Sequence, residues 1–99
     1  MDKKEVMRLI REYYNVLAVE YGVSKIGVFG SVVKGALTEE SDLDILVEFK
    51  RPIGFRFVRL VEYLENLFGR KVDVLTKDGI GNIRVKDVAK NIERSLTYV

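Results

Sequence analysis

The sequence contains no cysteine, no histidine and a single proline in 99 residues. Without cysteine there is no disulfide framework and no thiolate metal site. Without histidine, no Ser-His-Asp triad, Cys-His pair or imidazole-bound zinc can form. Any metal chemistry therefore rests on oxygen ligands, which point to Mg²⁺, Mn²⁺ or Ca²⁺. The lone proline, the lack of low-complexity tracts and the lack of any repeat of about 20–50 residues argue against linkers, disorder and solenoids. No window approaches the roughly 18 apolar residues of a membrane span. The opening MDKKEVMRLIREYY also lacks the uninterrupted apolar stretch of a secretory signal. A net charge of +2 is too small for a dedicated nucleic-acid binder, which carries a strongly basic face. These exclusions predict a soluble, cytoplasmic protein with no membrane role and no dedicated nucleic-acid surface.

The apolar share is 47% and the charged share 32%, ordinary and somewhat high for a globular chain. The length suits one domain over residues 1–99, because smaller pieces could not bury a core. Residues 3–21 read as a helix, with Val6, Leu9, Ile10, Tyr13, Val16 and Leu17 at helical spacing and Gly22 as its cap. Lys25–Phe29 is a short apolar run that suits a buried strand. Ser31–Lys34 reads as a short helix closed by Gly35, and Thr38–Ser41 as a loop. Asp42–Phe49 alternates, with Leu43, Ile45, Val47 and Phe49 on one face and Asp42, Asp44, Leu46 and Glu48 on the other. Pro52 and Gly54 mark a turn before a second helix, Phe55–Phe68, whose core positions are expected at Val58, Val61, Leu64, Leu67 and Phe68, with Gly69 as stop. Lys71–Leu75 suits a third strand, Gly79 and Gly81 a loop, and residues 85–94 a third helix. Ser95–Val99 reads as a terminal strand or a frayed end. The order predicts an α+β fold, helices packed on a small mixed sheet.

Three features carry chemistry. Asp42 and Asp44, two apart on an extended chain, leave one face about 6.5–7 Å apart. Their repulsion on a half-buried sheet is costly, and a divalent cation removes that cost. Asp73 alternates with Val72 and Val74 and would join the pair if its strand lies alongside. Three such carboxylates can hold two Mg²⁺ about 3.5–4 Å apart, the arrangement used in phosphoryl and nucleotidyl transfer. Gly30-Ser31, at a strand-to-helix turn, supplies backbone amides, a hydroxyl and a helix N-terminus for a phosphate. Lys34 and Gly35 share that turn, with Lys34 as a point charge for a triphosphate. Taken singly, a Gly-Ser is a turn, an Asp-x-Asp is a solvated strand face, Asp73 is an edge charge and Lys34 is an exposed lysine. The conjunction of Gly-Ser, ten residues and Asp-x-Asp arises by chance in on the order of one such chain in a thousand.

The stretch GSVVKGALTEESDLD, from Gly30 to Asp44, resembles the Gly-Ser-x10-Asp-x-Asp element of the DNA polymerase β-like nucleotidyltransferases. Specifically, it is similar to the stand-alone minimal, MntA-like members of archaea and bacteria, and the resemblance spans nearly the whole chain. Many relatives have arginines after the Gly-Ser; here Val32 and Val33 precede the single Lys34. The resemblance implies a polymerase β-like nucleotidyltransferase fold. It further implies that Gly30, Ser31, Lys34 and Gly35 bind the triphosphate, and that Asp42, Asp44 and Asp73 bind Mg²⁺ and catalyse.

The expected reaction is in-line attack of a hydroxyl on the α-phosphate of ATP with loss of pyrophosphate. Asp73 is also a candidate acceptor for the hydroxyl proton. Larger members carry further domains that grip the acceptor, and this chain shows none, so the acceptor is expected to complete the pocket. The resemblance implies a HEPN-domain ribonuclease toxin as that acceptor, silenced by AMP on a tyrosine. Two alternatives stay open. One is an antitoxin that neutralises by contact alone, with Phe55, Phe57, Tyr13, Tyr14 and Tyr98 as interface candidates or as ordinary core. The other is transfer to a small molecule, for which a homodimer could supply the missing wall.

Overall fold

The computed structural model of the chain describes residues 1–76 and 96–99. Helix α1 spans Lys3–Tyr21, capped by the Asp2 carboxylate, which accepts from the Glu5 amide at 2.9 Å. Such a cap satisfies a backbone donor the helix itself leaves open. Gly22, left-handed at φ 67°, closes the other end. Strand β1 (Val23–Phe29) leads into a single 3₁₀ turn, Gly30–Val32. Strand β2 (Leu43–Phe49), helix α2 (Arg56–Phe68), strand β3 (Val72–Thr76) and strand β4 (Thr97–Tyr98) follow.

The four strands form one sheet in the order β3-β2-β1-β4. β1 is antiparallel to both β2 and β4, whereas β2 and β3 are parallel and joined by α2. The sheet is therefore mixed, with helices packed on it, as expected. Ile26, Val28, Leu43, Ile45, Val47 and Val72 face Val6, Ile10 and Leu17 of α1 and Leu60, Leu64 and Phe68 of α2 in one core. Complete burial of each such side chain contributes roughly 1.5–3 kcal/mol. Phe29 and Leu46 form a smaller cluster with Leu75 and Leu96. Among the described residues, no helix is long and apolar enough to cross a membrane.

Several boundaries differ from expectation. β1 starts at Val23, two residues early, through an irregularity between Val23 and Lys25. Asp42 lies just before β2, and α2 begins at Arg56. The buried stripe of α2 is Leu60, Leu64 and Phe68, and Val58 is 58% exposed. Val58 stands about 160° around the helix from Leu60, so both cannot face the sheet. The C-terminal segment does pair, as β4. Ser95, the expected Gly79/Gly81 loop and the expected helix over 85–94 lie outside the described residues.

Candidate active site

Where β1 ends, Gly30 takes a positive φ of 71°, a conformation that costs other residues about 1–2 kcal/mol. Its carbonyl accepts from the amides of Val33 and Lys34 at 3.1 and 3.2 Å, and the Ser31 carbonyl accepts from Ala36 at 2.8 Å. Space imposes a second requirement. A Cβ at position 30 would overlap Asp44 Oδ2 and stand 3.3 Å from Asp44 Cγ. The absent side chain is what lets the turn lie against the Asp44 carboxylate. Ser31 is half-buried, and Lys34 and Gly35 are exposed. The turn is shorter than the expected Ser31–Lys34 helix because the chain bends away again at Gly35, φ 70°. A row of aligned peptide dipoles is therefore missing, and with it the helix-end attraction for an anion.

The acidic residues lie on the sheet face turned away from α1 and α2. The parallel register pairs Leu43 with Val72 on the helix side and Asp44 with Asp73 on the other. Paired residues on neighbouring strands stand about 4.8 Å apart. Asp42 precedes Asp44 by two residues and, like Asp73, is exposed, while Asp44 is half-buried. Burial raises the Asp44 carboxyl above its ordinary value, and the charges of Asp73 and then Asp42 raise it further. Desolvation and like charge both disfavour the ionised form. The arrangement is open: among the described residues, no three acidic side chains are gathered closely enough to hold an ion as they stand. The donor chemistry nevertheless suits Mg²⁺, a hard cation that takes carboxylate oxygens. The mutual repulsion on Asp44 is the cost such a cation would relieve.

One contact at this end of the sheet has no signal in local spacing. Arg70 Nη1 donates to the carbonyls of Thr38 at 3.0 Å and Ser41 at 3.3 Å. The partners are separated by 32 and 29 residues, so no periodicity reveals them. Lys34, by contrast, makes no ion pair among the described residues.

The expected interface aromatics divide. Phe55 is 96% exposed and Tyr98 44%, whereas Tyr13, Tyr14 and Phe57 are half-buried. The Tyr14 hydroxyl donates to the Ser24 carbonyl at 2.6 Å, and Phe57 meets Phe49 edge-on at 6.5 Å. Tyr98 donates to Glu48 Oε2 at 2.9 Å, with Lys25 Nζ 5.8 Å from its ring centre.

Comparison with known proteins gives the family and the fold. The nucleotidyltransferase domain model matches residues 10–99. The chain is 43% identical over 98 residues to a candidate protein adenylyltransferase of Methanocaldococcus jannaschii, covering 96% of this chain and 95% of that one. It is 38% identical over 97 residues to the protein adenylyltransferase MntA of Thermococcus cleftensis, covering 97% and 94%. Among solved structures, a candidate minimal nucleotidyltransferase superposes with a TM-score of 0.73 at 33% identity, over 98% of this chain and 95% of that one. A toxin–antitoxin structure with AMP-PNP shares the fold, with a TM-score of 0.63 at 16% identity, over 99% and 72%.

Proposed function

The chain belongs to the nucleotidyltransferase domain family, and on that premise we propose that it moves AMP from ATP to a tyrosine hydroxyl of a HEPN-domain ribonuclease toxin. The observation that carries this reading is the parallel register opposing Asp44 with Asp73, on a face where Gly30 leaves room for the Asp44 carboxylate. The names of the relatives, protein adenylyltransferases of archaea, support AMP as the group transferred and a protein as the acceptor. The toxin–antitoxin assembly of a fold neighbour supports a toxin as that protein. ATP as donor and a ribonuclease as target make the cytoplasm the place of action.

In the reaction, the tyrosine oxygen forms a bond to the α-phosphorus while the bond to the bridging α,β-oxygen breaks, and pyrophosphate leaves. Asp42, Asp44 and Asp73 would hold Mg²⁺, and the bound cations would supply charge to neutralise the triphosphate and to acidify the attacking hydroxyl. Asp73, exposed at the edge of the trio, takes the hydroxyl proton. Gly30 and Ser31 seat the triphosphate by backbone and hydroxyl donors, and Lys34 and Gly35 border it, Lys34 as a mobile point charge. The residues orient and neutralise, which is most of catalysis in phosphoryl transfer. The acidic residues stand on the sheet face away from α1 and α2, and there the acceptor forms the missing wall of the pocket.

A second reading, neutralisation by contact alone, is favoured by Phe55, 96% exposed just before α2, and Val58, 58% exposed in its first turn. One experiment separates the two. Purified protein, Mg²⁺ and α-labelled ATP are incubated with a HEPN-domain ribonuclease toxin from the same organism, using wild type and an Asp42→Ala/Asp44→Ala double variant. The adenylyltransferase reading expects label on a toxin tyrosine with wild type only, while both proteins bind the toxin. Unlabelled toxin that is nonetheless silenced by both proteins favours the contact reading.

A further inference from the structure

Asp42 needs a support that β2 does not provide. It is exposed and stands outside the strand, and the first ladder bond beyond it is from the Leu43 amide to the Lys71 carbonyl at 3.0 Å. On its other side lies the Thr38–Ser41 turn, closed upon itself. The Ser41 amide donates to the Thr38 carbonyl at 3.2 Å, the Thr38 amide to Ser41 Oγ at 3.2 Å, and the two hydroxyls meet at 2.9 Å. Leu37 before the turn and Leu43 after Asp42 pack in the core, and the turn's own carbonyls are docked by Arg70, which follows Gly69 at the end of α2 and precedes β3 by two residues. One terminal nitrogen of its guanidinium reaches both the Thr38 and the Ser41 carbonyl. Among the described residues Arg70 makes no ion pair, so its charge strengthens bonds to two carbonyls and is not quenched by a carboxylate. The start of β3 is held from the same helix, by Glu65 Oε2 accepting from the Val72 amide at 3.3 Å.

We propose that Arg70 is a positioning residue for the Asp42 carboxylate: it clamps the turn leading into Asp42 to the chain leading into Asp73, and so sets the spacing of the acidic trio. The inference rests on the reading of Asp42 as a metal ligand. An open trio must be drawn together by its cation, and a loose Asp42 adds the entropy of ordering that segment to the cost of binding. Groups that orient metal ligands typically change metal affinity by about 10–100-fold when lost.

The test measures Mn²⁺ binding, by loss of the free-ion paramagnetic signal, to the full chain with α,β-methylene-ATP, so that no turnover is needed. Wild type is compared with Arg70→Met, Arg70→Lys and Asp42→Asn, each checked for an unchanged circular-dichroism spectrum and for amide exchange at Ser41. Arg70→Met is expected to weaken Mn²⁺ about 10-fold and to speed exchange at Ser41. Arg70→Lys, which keeps the charge but loses the planar fork, is expected to lie between wild type and Arg70→Met, and it carries the test if Arg70→Met does not fold. Asp42→Asn is expected to lose more affinity than either. Wild-type affinity in both Arg70 variants, with a loss in Asp42→Asn, overturns the clamp alone. Wild-type affinity in all three overturns the ligand reading and the clamp with it.

Discussion

The Asp44 carboxylate occupies the space that a side chain at Gly30 would need. Gly30→Ala must therefore displace the carboxylate as well as strain a backbone at φ 71°. The strain alone is expected to lower stability by about 1–2 kcal/mol, leaving the variant folded. Displacing a reacting group by about 1 Å can cost on the order of 100-fold in rate, so AMP transfer is expected to fall at least that far. Parallel urea unfolding and transfer assays check the two halves of the prediction. A folded Gly30→Ala protein with wild-type activity would show that Asp44 does not need its observed position.

The parts of this site that were legible in the sequence are those governed by short-range periodicity. Alternation alone assigns Asp42 and Asp44 to one face of β2, and Asp73 to the face away from Val72 and Val74. Which strand lies beside which is not a local property. The parallel pairing of β2 with β3, on which the opposition of Asp44 and Asp73 depends, could only be supposed. In α2 the expected core positions Leu64 and Phe68 are buried, whereas Val58 is exposed and Leu60 takes its place, for a related reason. Phe57, Val58, Leu60, Val61, Leu64, Leu67 and Phe68 offer two overlapping helical faces, and only the sheet beneath decides that Leu60 is buried and Val58 is not. The Arg70 contacts, and the overlap of Gly30 with Asp44, are tertiary facts without any sequence period.

That choice between faces has a measurable consequence. Leu60 is fully buried in the core, and Leu60→Ala is expected to cost about 2–5 kcal/mol through lost transfer energy and a residual cavity. Val58→Ala, at an exposed position, is expected to stay within about 0.5 kcal/mol of wild type. Urea denaturation of both variants ranks them directly, and equal costs would contradict the assignment of the buried stripe.

Asp44 links the site to stability through pH. Its carboxyl is raised in the folded chain above 3.8 by burial and by Asp73 and Asp42, so the folded state holds more protons than the unfolded state between the two values. Stability then falls as pH rises through that interval. The penalty is absent below the unfolded value and complete above the folded one. Asp44→Asn cannot ionise, so without Mg²⁺ it is expected to melt above wild type near neutral pH, with the advantage vanishing as pH falls toward 3.8. Millimolar Mg²⁺ is expected to raise the melting temperature of wild type and not of the variant, because a ligand stabilises only the state that binds it. Melting curves at about pH 7 and about pH 4, with and without Mg²⁺, give the four readings. A wild type that outlasts Asp44→Asn at neutral pH without Mg²⁺ would refute the account.

At the other edge of the sheet, Gly27 lets β4 come close. A Cβ there would lie 2.9 Å from the Thr97 carbonyl oxygen and 3.0 Å from Leu96 Cδ1. The leucine tip can yield, but a backbone oxygen at that distance moves only if the strand moves. β4 is two residues long and has little pairing with which to resist. Gly27→Ala is therefore expected to detach β4 while the main core, on the opposite face, persists. Two readouts follow the strand. The Val99 amide, which donates to Ile26 at 2.9 Å, should lose its protection from hydrogen exchange. The Tyr98 hydroxyl, held above the ordinary phenol value of 10.0 by burial and by its bond to the charged Glu48, should titrate lower once it is freed into solvent. Retained protection at Val99 with unchanged Tyr98 titration would mean that β1 and β4 can part by the required few tenths of an ångström without separating.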